Sequence, residues 1–297
     1  MLEFLGGIGD ELLLTIVAHE LKKRNPEVKI WQVSHSFELL HHNPDYTKVF
    51  SWDYWPLRFS NFLNRRRCKI DGYVTPKISG EQYVPPTEHI AAVMCRKAGI
   101  RGQILIKPRV FLTQEEKEKG NFAKNTIIVN YPGEGSYAHM KNNKLWDIDR
   151  FQKVLDILSS GNLDGKRYEI IQLGGPKDPP LKGIVDLRGR TSLRESAAIL
   201  QNCKFFLGFV GFLMHLARSV DCRSVIIYGG LEHSWQSGYI CNENINISID
   251  CAPCWKLNYC DRGRECMNAI EVDDVLQAIE KLLGRKVSPL ETDEMYI

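Results

Sequence analysis

Three groups of residues in this chain have the types and spacing to do chemistry. The first is Gly6-Gly7-Ile8-Gly9-Asp10, a glycine turn after a short apolar run, with a carboxylate at the start of a helix. The second is Gly208-Phe209-Val210-Gly211-Phe212-Leu213-Met214-His215, a glycine turn that opens a helix with a histidine in its first turns. A strand, a glycine turn and a helix in succession leave backbone N–H groups unpaired at the positive end of a helix dipole, which suits phosphate or another anion. The third is Cys251-x-x-Cys254 followed by Cys260 and Cys266, four thiols within 16 residues. Soft thiolates in such a cluster select zinc or iron, and four of them close a structural site with no open position for substrate. The competing reading is four unligated buried cysteines.

Each candidate side chain has a structural reading beside the chemical one. Asp10 either serves its helix start or takes a proton from an attacking hydroxyl at the mouth of a cleft. The dipole that stabilises its carboxylate also weakens it as a base, so base work needs a compensating environment. Lys144 closes the loop that begins Tyr131-Pro132-Gly133-Glu134-Gly135-Ser136, and it either neutralises phosphate or is solvated. Gly174-Gly175-Pro176-Lys177-Asp178 makes a third turn after a strand, on the sheet edge where α/β proteins bind ligands. His215, flanked by Met214, Leu216 and Ala217, reads as a packed, hydrogen-bonded residue or as a donor to phosphate.

The elements that must position these groups alternate along the chain. A strand at 2–5 precedes a helix over 10–24, with Leu13, Ile16, Val17 and Leu21 at helical spacing and Asn25-Pro26 ending it. A strand at 28–33, short elements at 37–40, 49–50 and 73–74, and a helix over 89–98 follow. A polar bridge over 112–124 marks a boundary between 1–118 and 119–297. Beyond it, strands at 126–130, 169–173, 184–187, 204–207 and 224–228 alternate with helices at 147–158, 192–202, after Gly211, and 273–283. Ser192 with Glu195 three residues on is a capping box. Strands alternating with helices of this length predict right-handed βαβ units and parallel sheets: two Rossmann-like domains facing one another across a cleft. The stretch after Gly284 reads as a loose polar tail.

Composition narrows the classes. The 297 residues suffice for two domains, and 43% hydrophobic with 25% charged residues fits a chain with a buried core. A net charge of +3 speaks against a dedicated nucleic-acid binder. The run Arg65-Arg66-Arg67, near Trp52, Trp55 and Phe59, reads as a solvated loop or an acceptor-side surface. No apolar run reaches the roughly 20 residues of a membrane span, and Met1-Leu2-Glu3-Phe4 lacks the basic start of a signal peptide. The expected location is cytoplasmic, peripheral at the inner membrane face. Cys68, Cys95, Cys203, Cys222 and Cys241 are scattered and read as small buried hydrophobes.

Taken in order, these pieces resemble glycosyltransferase family 9, the heptosyltransferase family. The resemblance covers nearly the whole chain. It rests on Gly7-Ile8-Gly9-Asp10, Lys144-x-Trp146, Leu173-Gly174-Gly175-Pro176-x-Asp178, Leu187-x-Gly189-x-Thr191-Ser192-Leu193, Met214-His215-Leu216-Ala217, and the segment from Cys251 to Cys266-Met267-x-x-Ile270. It implies the two-domain GT-B fold, with the nucleotide sugar on the C-terminal domain, the acceptor on the N-terminal one, and inverting transfer without a catalytic metal. By this resemblance Asp10 falls on the general base. Lys144, Gly7, Gly9, Gly174, Gly175, Gly211, Phe212, Met214 and His215 fall on the nucleotide-sugar site. The four cysteines are similar to the iron-binding motif of related protein heptosyltransferases. One position departs: where the family carries an acid five residues before the histidine, this chain has Val210, which cannot hydrogen-bond a sugar hydroxyl.

The expected function is inverting transfer of a heptose-like sugar from a nucleotide-diphosphate sugar, with ADP-heptose a candidate, to a hydroxyl of a bacterial glycan or protein acceptor. The alternative is a catalytically weakened GT-B protein acting as a binding or assembly subunit, which Val210 favours and Asp10, Lys144 and His215 oppose. A nucleotide-sugar epimerase would need further acid and base residues in the cleft. No nucleic-acid partner is expected, and homo-oligomerisation is left open.

Overall fold

Two separate parallel sheets organise the chain, and the ends of their strands set the site. The computed structural model describes residues 2–4, 7–53, 68–70, 77–79, 82–133, 143–257, 259–284 and 293–297. Gly6, the Arg65-Arg66-Arg67 run, the element expected at Tyr73-Val74 and the Glu134-Gly135-Ser136 part of the loop lie outside the described residues.

The first sheet holds β1 (Leu2–Phe4), β2 (Trp31–Ser34), β3 (Lys48–Ser51) and β4 (Cys68–Ile70), all parallel, in the order β3-β2-β1-β4. After β1 comes the helix Ile8–Arg24, which starts two residues earlier than the sequence suggests. Gly7 is its N-cap, so the glycine turn itself supplies the first helical residues. This helix is buried on most of its circumference, including Glu11 and Glu20. A helix buried nearly all round packs on both faces. One face meets the helix Ile90–Lys97, another the helix Phe212–Ser219 of the second half. Two antiparallel pieces lie outside the main sheets: β5 (Lys77–Ser79) with β6 (Gln82–Tyr83), and β7 (Gln103–Leu105) with a late strand described below.

The polar bridge is the exposed helix Gln114–Lys119, none of whose residues is buried, followed by the 3-10 turn Gly120–Ala123. The second sheet then runs through β8 (Ile127–Val129), β9 (Ile170–Gln172), β10 (Val185–Asp186), β11 (Phe205–Phe209), β12 (Ser224–Gly229) and β13 (Glu243–Asn246). All pairs are parallel, in the order β10-β9-β8-β11-β12-β13. Strands β8, β9, β11 and β12 are wholly buried, as continuous apolar runs covered on both faces should be. Strand β13 was not evident in the sequence: it is an edge strand with mixed polarity. Helices Ile148–Ser160, Leu193–Asn202 and Val272–Gly284 cover the sheet. The Ser192–Glu195 capping box is present.

From β8 the chain winds outward through β9 and β10, then returns to β11 and winds the other way. The β8/β11 boundary is therefore a topological switch point, where ligands bind outside the carboxyl ends of parallel strands. The β1/β4 boundary is the corresponding point of the first sheet. The two architectures are Rossmann-like, with a cleft between them. Arg194 spans them: its guanidinium bonds Glu116 and the carbonyls of Phe111, Glu38 and His41.

The chain's end corrects one expectation. Residues 293–297 are not loose. Strand β14 (Glu294–Tyr296) pairs antiparallel with β7 of the first half. Asp293 is buried, and its carboxylate accepts from Arg218 Nε at 2.8 Å and from the Ile240 amide at 2.6 Å. A buried ion pair and a short ladder anchor this segment, and neither leaves an apolar periodicity to read. Among the described residues no helix is long and apolar enough to cross a membrane.

Candidate active site

The two glycine turns meet. Helix Ile8–Arg24 and helix Phe212–Ser219 bring their N-termini together: a Cβ on Gly9 would stand 3.4 Å from His215 Cδ2 and 3.4 Å from Phe212 Cα. Between them opens a cleft of about 580 Å³ whose wall includes Gly7, Gly9, Asp10, Lys144, Gly175, Gly211, Phe212 and His215. A second hollow of about 410 Å³ adjoins it, sharing Ile8, Gly175, Asp178 and the Val210-Gly211-Phe212 turn, and adds Gly174, Thr191 and Ser196. All but one of the predicted nucleotide-sugar residues thus border one or the other of these two hollows. The exception is Met214, whose side chain is fully buried in the core and accepts from the Tyr228 hydroxyl at 3.2 Å. Helical geometry turns the residue before His215 toward the sheet.

Asp10 is the third residue of its helix, half-buried, and its Oδ2 accepts from the Gly7 amide at 3.0 Å. The structural and the chemical readings coexist: one carboxylate oxygen serves the helix start while the residue lines the cleft. The next residue, Glu11, holds the neighbouring loop in place. Its buried carboxylate accepts from Ser34 Oγ (2.6 Å) and from the amides of His35 (3.0 Å) and Ser36 (3.1 Å), which keeps His35 on the cleft wall.

His215 is 6% exposed, and its Nδ1 lies 2.6 Å from the Tyr239 hydroxyl. Burial pushes its pKa down to about 3, helped by the charges of His89 and Lys144. The ring is therefore neutral at ordinary pH and offers one N–H donor rather than a positive charge. His89, from the first half, is held similarly: Nδ1 accepts from the Ala91 amide and caps the helix Ile90–Lys97, while Nε2 donates to the Gly238 carbonyl, both at 3.1 Å. Burial lowers its pKa to about 4, against the opposing pull of Gly238, Ser237 and Glu232.

Lys144 is neither free nor fully solvated. Its ammonium lies 2.8 Å from Glu232 Oε1, and Ser237 Oγ donates to Glu232 Oε2 at 2.8 Å. Glu232, 7% exposed, lines the same cleft and was missed in the sequence. The signal was present: Glu232 comes three residues after the end of β12, behind Gly229-Gly230, on the ligand-binding edge. Asp178 was noted only within its turn, yet it ties that turn to the loop after β8. Its carboxylate accepts from the amides of Gly133 (2.7 Å) and Gly175 (2.9 Å) and from Asn130 Nδ2 (3.3 Å). Gly174 has φ +151° and a Cβ there would overlap this carboxylate, so the turn needs glycine.

Cys251, Cys254, Cys260 and Cys266 line one small hollow of about 20 Å³, the space of a single ion or water. Cys251, Cys254, Cys260 and Cys266 form no disulfide. Burial raises the Cys254 and Cys266 pKa values, and neighbouring thiols of the cluster add to the rise. The donor set suits a soft cation, although among the described residues no three His, Cys, Asp or Glu side chains converge as a metal-holding group. Two of the scattered cysteines also meet: the sulfurs of Cys203 and Cys222 are 3.4 Å apart.

A carboxylate, an ammonium, a neutral imidazole and two helix N-termini around one cleft can take up a proton, balance an anion and donate to oxygen. Comparison with known proteins follows the same line. Residues 112–259 match the family model for glycosyltransferase family 9 (heptosyltransferase). The lipopolysaccharide heptosyltransferase 3 of Escherichia coli (strain K12) is 28% identical over 160 residues, 47% of this chain and 43% of that protein. The match thus spans less than half the length of that relative. Among solved structures, the family 9 glycosyl transferase from Veillonella parvula superposes with a TM-score of 0.69 at 15% identity, covering 95% of this chain and 96% of that one. The dodecameric iron-containing glycosyltransferase TibC from enterotoxigenic E. coli gives 0.67 at 18% identity, with 95% and 75% covered. TibC also exists as a complex with ADP-D-β-D-heptose. These similarities carry the two-domain GT-B fold across 95% of the chain.

Proposed function

The chain belongs to glycosyltransferase family 9, and from that premise we propose that it is an inverting glycosyltransferase. It moves a heptose-like sugar from a nucleoside-diphosphate donor, ADP-heptose, to a hydroxyl of a bacterial glycan or protein. The observation that carries the reading is the convergence of Asp10, Lys144, His215 and the Gly211 turn on one cleft. The ADP-heptose complex of the structurally similar TibC supports the choice of donor.

In this reading residues 119–297 hold the donor and residues 1–118 the acceptor. The Asp10 carboxylate takes the proton of the acceptor hydroxyl as its oxygen bonds to C1. The C1–O bond to the diphosphate breaks on the opposite face, and the nucleoside diphosphate leaves with the electron pair. Its growing charge meets the Lys144 ammonium and the backbone N–H groups at the start of the Phe212–Ser219 helix. His215, kept neutral by burial, supplies a hydrogen bond and no charge. The protein acts in the cytoplasm at the inner membrane face.

We also propose that Cys251, Cys254, Cys260 and Cys266 hold one structural zinc or iron ion. It would tie the polar loop together and supply no chemistry to transfer.

A thermal-shift screen followed by product analysis tests the function. ADP at about 100 times its dissociation constant should add roughly 2.7 kcal/mol of stability. Mass spectrometry should then show a heptose added from ADP-heptose to the acceptor. No stabilisation by any nucleoside diphosphate, together with no transfer, would refute the proposal.

A further inference from the structure

Both members of the Lys144–Glu232 pair are held, one or two residues away, by the cysteine loop. On one side Asn143, 5% exposed and adjacent to Lys144, donates both Nδ2 hydrogens to the loop: to the Lys256 carbonyl at 2.7 Å and the Tyr259 carbonyl at 2.8 Å. On the other side the loop runs against the chain leading to Glu232. The Cys254 amide donates to the Gly230 carbonyl at 3.1 Å and the Trp255 amide to the Leu231 carbonyl at 2.9 Å. A Cβ on Gly230 would come within 2.7 Å of Cys266 Cβ, so this contact leaves no slack. The Trp255 indole, buried, donates to Gln236 Oε1 at 3.1 Å, one residue before the Ser237 hydroxyl that bonds Glu232.

We propose that the cysteine loop is the scaffold of the diphosphate site, with Asn143 and Glu232 as positioning residues for the Lys144 ammonium. The inference rests on the reading of Lys144 as the group that meets the donor's diphosphate. A lysine ammonium sits on a flexible four-carbon stem with three donors and many rotamers. Asn143 fixes the root of that stem. Glu232, buried and pinned by Ser237, selects one position for its tip. One N–H is spent on Glu232, and among the described residues the other two are left for phosphate oxygens in the cleft. The cysteine cluster therefore supports the site's charge geometry as well as the loop's own fold.

Isothermal titration of the full chain with ADP and with adenosine separates the outcomes. Asn143→Asp keeps the volume but replaces the NH2 group and its two donors with one oxygen facing both carbonyls; Glu232→Gln removes the charge that holds the ammonium. Each should weaken ADP binding about tenfold, as the loss of one or two hydrogen bonds implies, and leave adenosine binding within about twofold. Added to Lys144→Ala, neither should weaken ADP further, because both act through the ammonium. ADP affinity equal to wild type, equal losses for ADP and adenosine, or full additivity with Lys144→Ala would overturn the inference. Should Asn143→Asp not fold, Glu232→Gln carries the same three readings. If Lys144→Ala itself leaves ADP affinity unchanged, the reading of Lys144 falls and the inference with it. If Lys144→Ala weakens ADP while the other two variants do not, only the inference falls.

Discussion

Acidification from pH 7 to pH 5 should remove about 4 kcal/mol of stability through two histidines, half through each. His89 and His215 are both buried, and burial is the first cause of both depressed pKa values, about 4 and about 3. The groups facing them explain the rest. His89 is pulled back up by the Gly238 and Ser237 carbonyls and by Glu232, while His215 is pushed further down by His89 and Lys144. Protonating His89 at Nδ1 would also break the bond to the Ala91 amide that caps its helix. The sign follows from proton counts. In the unfolded chain a histidine titrates near 6.5, so between that value and the folded pKa the unfolded state binds more protons, and stability rises with pH. It is fully present above about 6.5 and lost as pH falls through that value, levelling off near 4 for His89 and 3 for His215. At pH 5 an unfolded histidine is about 97% protonated and the folded ones are largely neutral, a factor of roughly 30 or about 2 kcal/mol each, against about 0.2 at pH 7. Because pH 5 lies above both folded values, the figure depends on the unfolded pKa and hardly on how deep the depression goes. Urea denaturation at the two pH values measures it. His89→Asn keeps a good N-cap, and it should lose about 2 kcal/mol less than wild type between pH 7 and 5; His215→Asn should do the same. Carboxylates that begin to titrate near pH 5 contribute equally to all three proteins and cancel. Variants that lose as much as wild type would refute the argument.

Three further outcomes are expected. Asp10→Asn keeps an oxygen for the Gly7 amide, so the fold should survive with a loss of no more than about 1 kcal/mol from the missing charge at the helix start while transfer falls about 100-fold or more; unchanged turnover would remove Asp10 from the mechanism. Gly174→Ala places a Cβ against the Asp178 carboxylate at a φ of +151°, and should lower stability by roughly 1–3 kcal/mol in chemical denaturation; a neutral result would mean the two loops tied by Asp178 yield easily. Protein purified without chelator should carry about one zinc or iron per chain, in keeping with a four-thiolate site, and Cys254→Ser with Cys266→Ser should lose it; metal-free wild-type protein would count against the four-cysteine site.

Local signals made much of this molecule legible. The Ser192–Glu195 capping box, the helix opening after Gly211 and the buried apolar strands of the second sheet follow from short-range capping, backbone freedom and continuous hydrophobic runs. Those are written in neighbouring residues, so the sequence by itself determined the βαβ order, both glycine turns, and Asp10, Lys144 and His215 as candidates. It did not determine partners. Lys144 finds Glu232 88 residues away, His215 finds Tyr239, and Asn143 finds the carbonyls of Lys256 and Tyr259. Met214 turned inward because helix phase, not motif membership, decides which side chain faces the cleft. The final strand pairs with β7, and the buried Asp293 before it meets Arg218 across the fold. Each of these depends on which surfaces are buried together once two sheets pack, and burial fixes hydrogen-bond partners and charge states at sequence separations that no local pattern encodes.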